Sequence, residues 1–475
     1  MRNPEDLPGR SDSDRLIRKL TVDAVEAKKE FAFEKAKEIY LMLKTAVENS
    51  YGAGHELLEI YLELIDVYIS LEEYDEALLT MEEAEGIATD TSDRLEVLQR
   101  KTKYLFSISK YDEARELALK SLELAEYPGG DYIQYGQAVA HFLGDVAKAD
   151  LYMDRVDDAI HFAEKAADIS ERAGALAEQS RAMNILAYSL RWRDSDNLRA
   201  IEIWKEAAEL AKQAGTPEVE GNMYHGIANA YWQMRDGDRA REYYRMALSI
   251  FENIGLMEGI AMEVKGIGDT YLTEEEYDTA MDYFVRAEEL YRMLGDDRNR
   301  AVVRMHMGLC QMNLGDFRLA LDSFMEAKAL SRIYEKGSDS VETAVLLNLA
   351  DLYHRMKMYD MEEKTAREAL LEIERPERVR EKDVDLGMAN LYLGRVEMAR
   401  GNTEEAERYI RDAIEGLKKD PYYLYMLAEA YSRLHALTGK ETYLLAAMKH
   451  LRDSGSSSTL KFLKDEGLIP QDVVM

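Results

Sequence analysis

Cysteine is almost missing from this chain: Cys310 stands alone among 475 residues. That rules out an intramolecular disulfide framework and suits a reducing compartment. Proline is scarce at seven residues and glycine modest at 28, so little interrupts a helix. Basic charge is in deficit, with 61 Lys and Arg against 92 Asp and Glu for a net charge of −31. A general nucleic-acid binder needs the opposite balance to neutralise phosphate, and an anionic membrane repels such a surface. No apolar run reaches the roughly 18 residues of a transmembrane helix, and the opening MRNPEDLPGRSDSD lacks the apolar centre of a secretory signal. The expectation is a cytoplasmic protein with neither nucleic-acid nor membrane partner.

Catalytic signatures are missing as well. There is no G-x-x-x-x-G-K-[ST] to cradle phosphate, no G-x-G-x-x-G after a strand, no H-E-x-x-H and no G-x-S-x-G. His306 and Cys310 have ligand-compatible spacing on one helical face, but a zinc site takes three or four protein ligands and no others cluster with them. They read as a packed thiol near an unrelated histidine. No metal, cofactor or enzymatic activity is expected.

What is present is a period. Trp204, Tyr244, Phe284 and Phe324 fall 40 residues apart, with Ala207, Ala247, Ala287 and Ala327 three residues after them. Gly215, Gly255 and Gly295 follow at the same period, each where a helix ends. A repeat of this length marks a solenoid of stacked units, in which each unit buries its apolar face only against its neighbours. Within residues 259–295 the pattern reads as two helices. Gly268 and Tyr271 share a face of the first, and Tyr277, Ala280, Phe284 and Ala287 form the apolar stripe of the second. Thr273 is expected to cap the second helix, with Glu274 to Glu276 in its first turn. Gly268 and Gly308 are expected where helices cross closely, and Glu288 on the outer face.

A small residue and a tyrosine in the first helix, then Tyr-x-x-Ala, an aromatic and a second alanine in the second, resemble the tetratricopeptide repeat. The clearest carriers are Ala228, Tyr231, Ala240, Tyr244 and Ala247, followed by Gly268 to Ala287 and by Gly308, Phe317, Ala320, Phe324 and Ala327. The spacing is similar to the 40-residue subtype of maltose-regulator-type transcription activators, kinesin light chains and spindle-orientation scaffolds. The second-helix anchors run from Ala36 to Ala406 and define ten units, with Glu362 replacing the expected alanine in the ninth. A degenerate eleventh pair follows. The resemblance implies an all-α, right-handed superhelical solenoid of about ten to eleven antiparallel helix pairs. The expected divisions are a disordered arm at 1–13, the solenoid at 14–453, and a flexible joint (SGSSS) with a tail at 454–475. The tail could fold back as a cap or hang free.

In this repeat family the first helices line the concave face. Projected onto this chain, that face carries Lys148, Arg181, Asn184, Arg191, Trp192, His225, Asn229, Trp232, Lys265, Asn348 and Arg355. His141, Asn313, His354 and Arg395 project there too, beside the acidic Asp145, Asp269 and Asp351. Arg and Asn suit carboxylates and peptide backbone, and Trp offers rigid contact area. The expected function is non-catalytic binding of a partner's peptide segment, acidic or carboxylate-bearing, in the groove. The alternative is a regulatory sensor that changes superhelical pitch on binding a peptide, regulator or small ligand. The bland alternative is that these cations pair with neighbouring acids.

Overall fold

Long stretches of good helix formers separated by single glycines or polar turns fold as helix after helix. The computed structural model describes residues 12–29, 32–51, 54–125, 135–332, 341–375, 382–420 and 423–473. Its first pairs are α1 (Asp12–Lys29) with α2 (Phe33–Tyr51), α3 (His55–Ser70) with α4 (Tyr74–Ile87), and α5 (Thr91–Ser107) with α6 (Tyr111–Leu124). Next come α7 (Gly136–Tyr152) with α8 (Val156–Ala173), α9 (Leu176–Asp194) with α10 (Asn197–Ala214), and α11 (Pro217–Gln233) with α12 (Gly237–Ile254). They are followed by α13 (Met257–Thr273) with α14 (Tyr277–Leu294), α15 (Asp297–Leu314) with α16 (Phe317–Ser331), and α17 (Val341–Arg355) with α18 (Tyr359–Ile373). The last are α19 (Lys382–Arg400) with α20 (Thr403–Leu417), α21 (Leu424–Thr438) with α22 (Glu441–Ser454), and the single α23 (Ser457–Asp465). The chain forms two compact units, residues 1–234 with 242–260 and residues 235–241 with 261–475.

The periodic residues are the core. Trp204, Phe284 and Phe324 are fully buried and Tyr244 nearly so, and the alanines three residues on from each are buried completely. Gly268 stands where its own unit's second helix comes closest: a Cβ there would lie 2.7 Å from the Phe284 ring, and one at Gly308 would meet Phe324 at the same distance. First helices also touch the first helices of neighbouring pairs, α5 on α7 and α7 on α9 in one unit, α15 on α17 and α17 on α19 in the other. They therefore form the inner layer of each unit.

Two turns alternate along the chain. Between pairs, Gly215, Gly255 and Gly295 sit at φ +68°, +74° and +71°, the left-handed conformation that glycine adopts without a Cβ penalty. Within pairs, the turn corrects the expected cap at Thr273. That residue is the last of α13, and its hydroxyl donates back to the Asp269 carbonyl. The helix ends instead in a Schellman-type turn: Glu276 N–H donates to Tyr271 O, Glu275 N–H to Leu272 O, and Glu275 is left-handed at φ +63°. Glu274 to Glu276 thus precede α14 rather than forming its first turn. Glu72, Ser109, Asp154, Ser195, Arg235 and Lys357 hold the same conformation in other pairs.

The chain ends also differ from expectation. Helix α1 already begins at Asp12, inside the stretch read as an arm, while residues 1–11 lie outside the described residues. Across SGSSS, Ser454 closes α22, Gly455 is its left-handed cap, and the Ser456 side chain caps α23. The tail folds back, burying Leu463, Leu468 and Ile469 in one cluster with Ala428 and Leu451.

Candidate functional site

The projected residues fall into two sets. In the first unit, helices α7, α9 and α11 carry Lys148, Arg181, Asn184, Arg191, Trp192, His225, Asn229 and Trp232 on the inner layer. Several of them already have work within the protein. Arg181 is exposed but pairs with Glu178 at 2.6 Å. Asn184 accepts the Trp204 indole N–H at 2.7 Å. Asn229 bonds the His225 ring at 2.8 Å and accepts from the Tyr244 hydroxyl. These amides fix core aromatics, which explains polar residues at repeat positions that pack.

Two cations are held differently. The Lys148 ammonium lies 4.4 Å over the Phe106 ring, and burial pulls its pKa down. The Arg191 guanidinium lies 5.3 Å from the Tyr188 ring and 5.7 Å from Trp204, and burial lowers its pKa as well. Its Nη1 is out of solvent's reach with no hydrogen-bond partner among the described residues. Arg191 is therefore packed between aromatics rather than held out as an open clamp. The two tryptophans are both at least partly exposed. Trp192 is 47% exposed with its indole N–H on Asp154, and Trp232 is half-buried.

In the second unit lie Lys265, Asn348 and Arg355, and here the acids win. Lys265 pairs with Asp269 at 2.8 Å and Arg355 with Asp351 at 3.1 Å, while the Asn348 amide donates to Ala344 O. Arg395, almost wholly buried, bridges Asp351 at 2.6 Å and Glu429, which also takes Arg433 at 2.6 Å. Burial alone would raise the Glu429 carboxyl, but Arg395 and Arg433 hold it down at about 2. A buried Arg bound to carboxylates on the first helices either side of its own stitches those helices together.

A cavity of about 340 Å³ opens on this inner layer, lined by Leu309, Asn348, Arg355, Tyr392 and Glu429 among others, and Phe462 of α23 forms part of its wall. The Phe462 ring lies 5.1 Å from the Arg355 guanidinium and 5.8 Å from that of Arg395. Two turn residues hold the tail. Arg235 donates to the Ser454 carbonyl at 3.0 Å, at the C-terminal end of α22. Glu275 accepts from the Ser458 backbone N–H and from the hydroxyls of Ser456 and Ser458, at the N-terminal end of α23. Each charge has the sign that its helix end favours. Reading the sequence did not single out Arg235, Glu275, Tyr392 or Phe462. The available signal was that Arg235 and Glu275 stand 40 residues apart at equivalent turns, and that Phe462 is the one aromatic after Gly455.

Near the expected Cys310–His306 pair, the His306 ring nitrogen lies 2.8 Å from Asp269, and burial pushes the Cys310 thiol up to about 12. Among the described residues no group of three or more His, Cys, Asp or Glu could hold a metal ion. None of their helices is long and apolar enough to cross a membrane.

Comparison with known proteins fits this architecture. The profile of the family described as "SNAP: Soluble NSF attachment protein, SNAP" matches residues 193–331, under a third of the chain. No curated protein sequence matches it. A Rap protein complexed with Competence and Sporulation Factor is similar in structure at 17% identity and TM-score 0.51, covering 76% of this chain and 97% of that one. The apo form of RapI is similar at 16% identity and TM-score 0.49, covering 78% of this chain and all of its own. A signal-transduction ATPase with a tetratricopeptide repeat sensor, from Pyrococcus horikoshii, is similar at 16% identity and TM-score 0.44, covering 78% of this chain and 55% of that one. The chain is an all-α helical-repeat solenoid, tetratricopeptide-like in fold.

Proposed function

We propose that the protein is a non-catalytic binding module whose first unit receives a peptide segment of a protein partner on the inner faces of α7, α9 and α11. The observation that carries this reading is exposed Trp192 with part-exposed Trp232, 40 residues apart near the C-terminal ends of α9 and α11, on the same layer as exposed Arg181. Large rigid aromatics and guanidinium groups are the side chains that dominate peptide and protein interfaces. A Rap protein of similar fold, solved with Competence and Sporulation Factor bound, supports a helical repeat of this kind holding a partner. Arg181, shared with Glu178, would recognise a carboxylate of the segment, while Asn184, Arg191 and Asn229 support the surface from beneath.

A peptide library displayed on phage and panned on the full chain tests this. Selected peptides are expected to lose at least about tenfold in affinity on Trp192→Ala or Trp232→Ala, the scale of an aromatic hot spot. Raised salt should slow their association through Arg181. Glu289→Lys, on the exposed side of α14, serves as the control. It replaces Glu288, which the sequence placed on the outer face but which is buried at 3.3 Å from Arg300 and 3.2 Å from Arg304. If the tryptophan variants bind selected peptides as wild type does, the face is misassigned.

The alternative, a regulatory module, is favoured by one observation: the chain's own tail already contacts the inner face of the second unit.

A further inference from the structure

The tail has two unlike faces. One is apolar: Leu463, Leu468 and Ile469 close the end of the last helix pair against Ala428 and Leu451. The other faces the inner layer and presents Ser458, Phe462 and Glu466 at four-residue steps, hence in line along one helical face. Ser458 meets Glu275, Phe462 lies over Arg355 and Arg395, and Glu466 approaches the His354 ring at 3.4 Å and Arg433 at 3.8 Å. A cap needs only the apolar face. On the second face the tail's own residues remain at least partly exposed, and their contacts are spread over three first helices and one turn.

Such contacts are exchangeable. A hydrogen bond given up to one serine can be taken by another at little net change, because each contributes only the difference from its replacement. Glu466, about a third exposed, reaches its buried partners only at 3.4 Å and 3.8 Å, longer than a close charge-assisted pair, so it adds little holding energy. The cavity beneath Phe462 supplies room for a side chain at least as large.

We infer that residues 455–469 are an internal occupant of a second binding site on the inner face of the second unit, and that the external ligand of this site is a helical segment of a partner protein presenting a hydroxyl residue, an aromatic and an acid at four-residue steps. The partner segment takes Glu275 with its first turn, stacks its aromatic on Arg355 and Arg395, and places its acid on Arg433. The tail is thereby displaced on its polar side, so occupancy of the site is regulated by the chain's own C-terminal segment. This goes beyond the function proposed above, which uses residues of the other unit.

The test uses the full chain and a labelled synthetic peptide of residues 455–473 as probe. A tethered segment competes at an effective concentration on the order of millimolar, so wild type should bind the probe weakly. The Phe462→Ala chain should bind it at least about tenfold more tightly, by that same competition. A probe itself carrying alanine at position 462 should bind neither chain. Hydrogen exchange on the Phe462→Ala chain should accelerate in residues 457–466 and stay unchanged through α17 to α20. Equal binding of the probe by both chains, or no binding by a variant whose tail has opened, overturns the proposal. If Phe462→Ala unfolds the unit, the paired Ser456→Ala and Ser458→Ala substitutions leave the apolar face intact and must give the same ordering of affinities; no gain there overturns it too. Trp192→Ala leaves probe binding unchanged under this proposal, so its failure and that of the first-unit reading are told apart.

Discussion

Glu362 shows how one residue can depart from a repeat without breaking it. It occupies an alanine position and is fully buried, yet its carboxylate lies 2.9 Å from Nδ1 of His354 in the first helix of the same pair. Arg433 approaches the other ring nitrogen at 3.2 Å, and a guanidinium can only donate. Nδ1 donates to the Glu362 carboxylate, while Nε2 faces both Arg433 and the Glu466 carboxylate. Glu362→Ala should cost about 1–3 kcal/mol by leaving a buried donor without its acceptor. Adding His354→Ala should cost less than the sum of the two single changes, which chemical denaturation of the four chains would measure; additivity would mean the pair does not interact. Cys310 makes a simpler prediction. Fully buried, with its pKa pushed up by that burial, it holds almost no thiolate at neutral pH. Iodoacetamide should leave it unmodified in the native protein and alkylate it in denaturant, and rapid native labelling would contradict its burial.

At the scale of the element, the crossing of α13 on α14 depends on Gly268. A Cβ there would sit 2.7 Å and 2.9 Å from two carbons of the Phe284 ring, which is itself completely enclosed and cannot swing away. Gly268→Leu should therefore destabilise by about 1–3 kcal/mol or more through overpacking. Glu289→Gln on the exposed face of α14 should stay within about 0.5 kcal/mol. Thermal melts of the two variants check this, and equal shifts would deny the close approach. Glu274 is the wrong comparison, although the sequence suggests a place in the first turn of the second helix. Its carboxylate lies 2.6 Å from Arg241, whose guanidinium stacks 4.6 Å from the Tyr271 ring and also reaches Asp238. The turn is anchored by this cation, so a change at Glu274 reports on α12 and α13 as well.

Across the second unit, acids on alternate first helices, Asp269 of α13, Asp351 of α17 and Glu429 of α21, set the response to pH. Burial by itself would raise Asp269, but Lys265 and His306 hold it at about 2, and Arg395 and Arg433 hold Glu429 at about 2. Asp351 is held well below the usual range by Arg355 and Arg395 against the same penalty. Each folded pKa is depressed, so each contributes stability that is present above the ordinary values of 3.8 for Asp and 4.5 for Glu and is lost as pH falls through the folded value. The thermal midpoint should drop between pH 4.5 and about 2. In Glu429→Gln that drop should be smaller, since one titrating group is gone. A midpoint that is flat in wild type over this window would show that the network contributes nothing.

Sequence by itself determined the repeat. Identical spacing of aromatic, alanine and glycine from Trp204 to Ala327 leaves only one way to bury every stripe, which is against the same stripe in the next pair, and local helix propensity agrees throughout. Eleven pairs, the close crossing at Gly268 and the left-handed glycines were all legible for that reason. The inner layer was legible only as a set of residue types. Whether a cation there is free or taken depends on carboxylates from other helices, such as Glu178 for Arg181 or Glu429 for Arg395, and pairing across helices leaves no mark on local spacing. The turn at Glu275 was missed because a non-glycine residue accepted a left-handed backbone in return for the hydrogen bonds of the turn. Only tertiary structure could place the tail, because what holds it, Glu275 at one end and Leu451 beside its apolar face, lies on surfaces that exist only once the repeats have stacked.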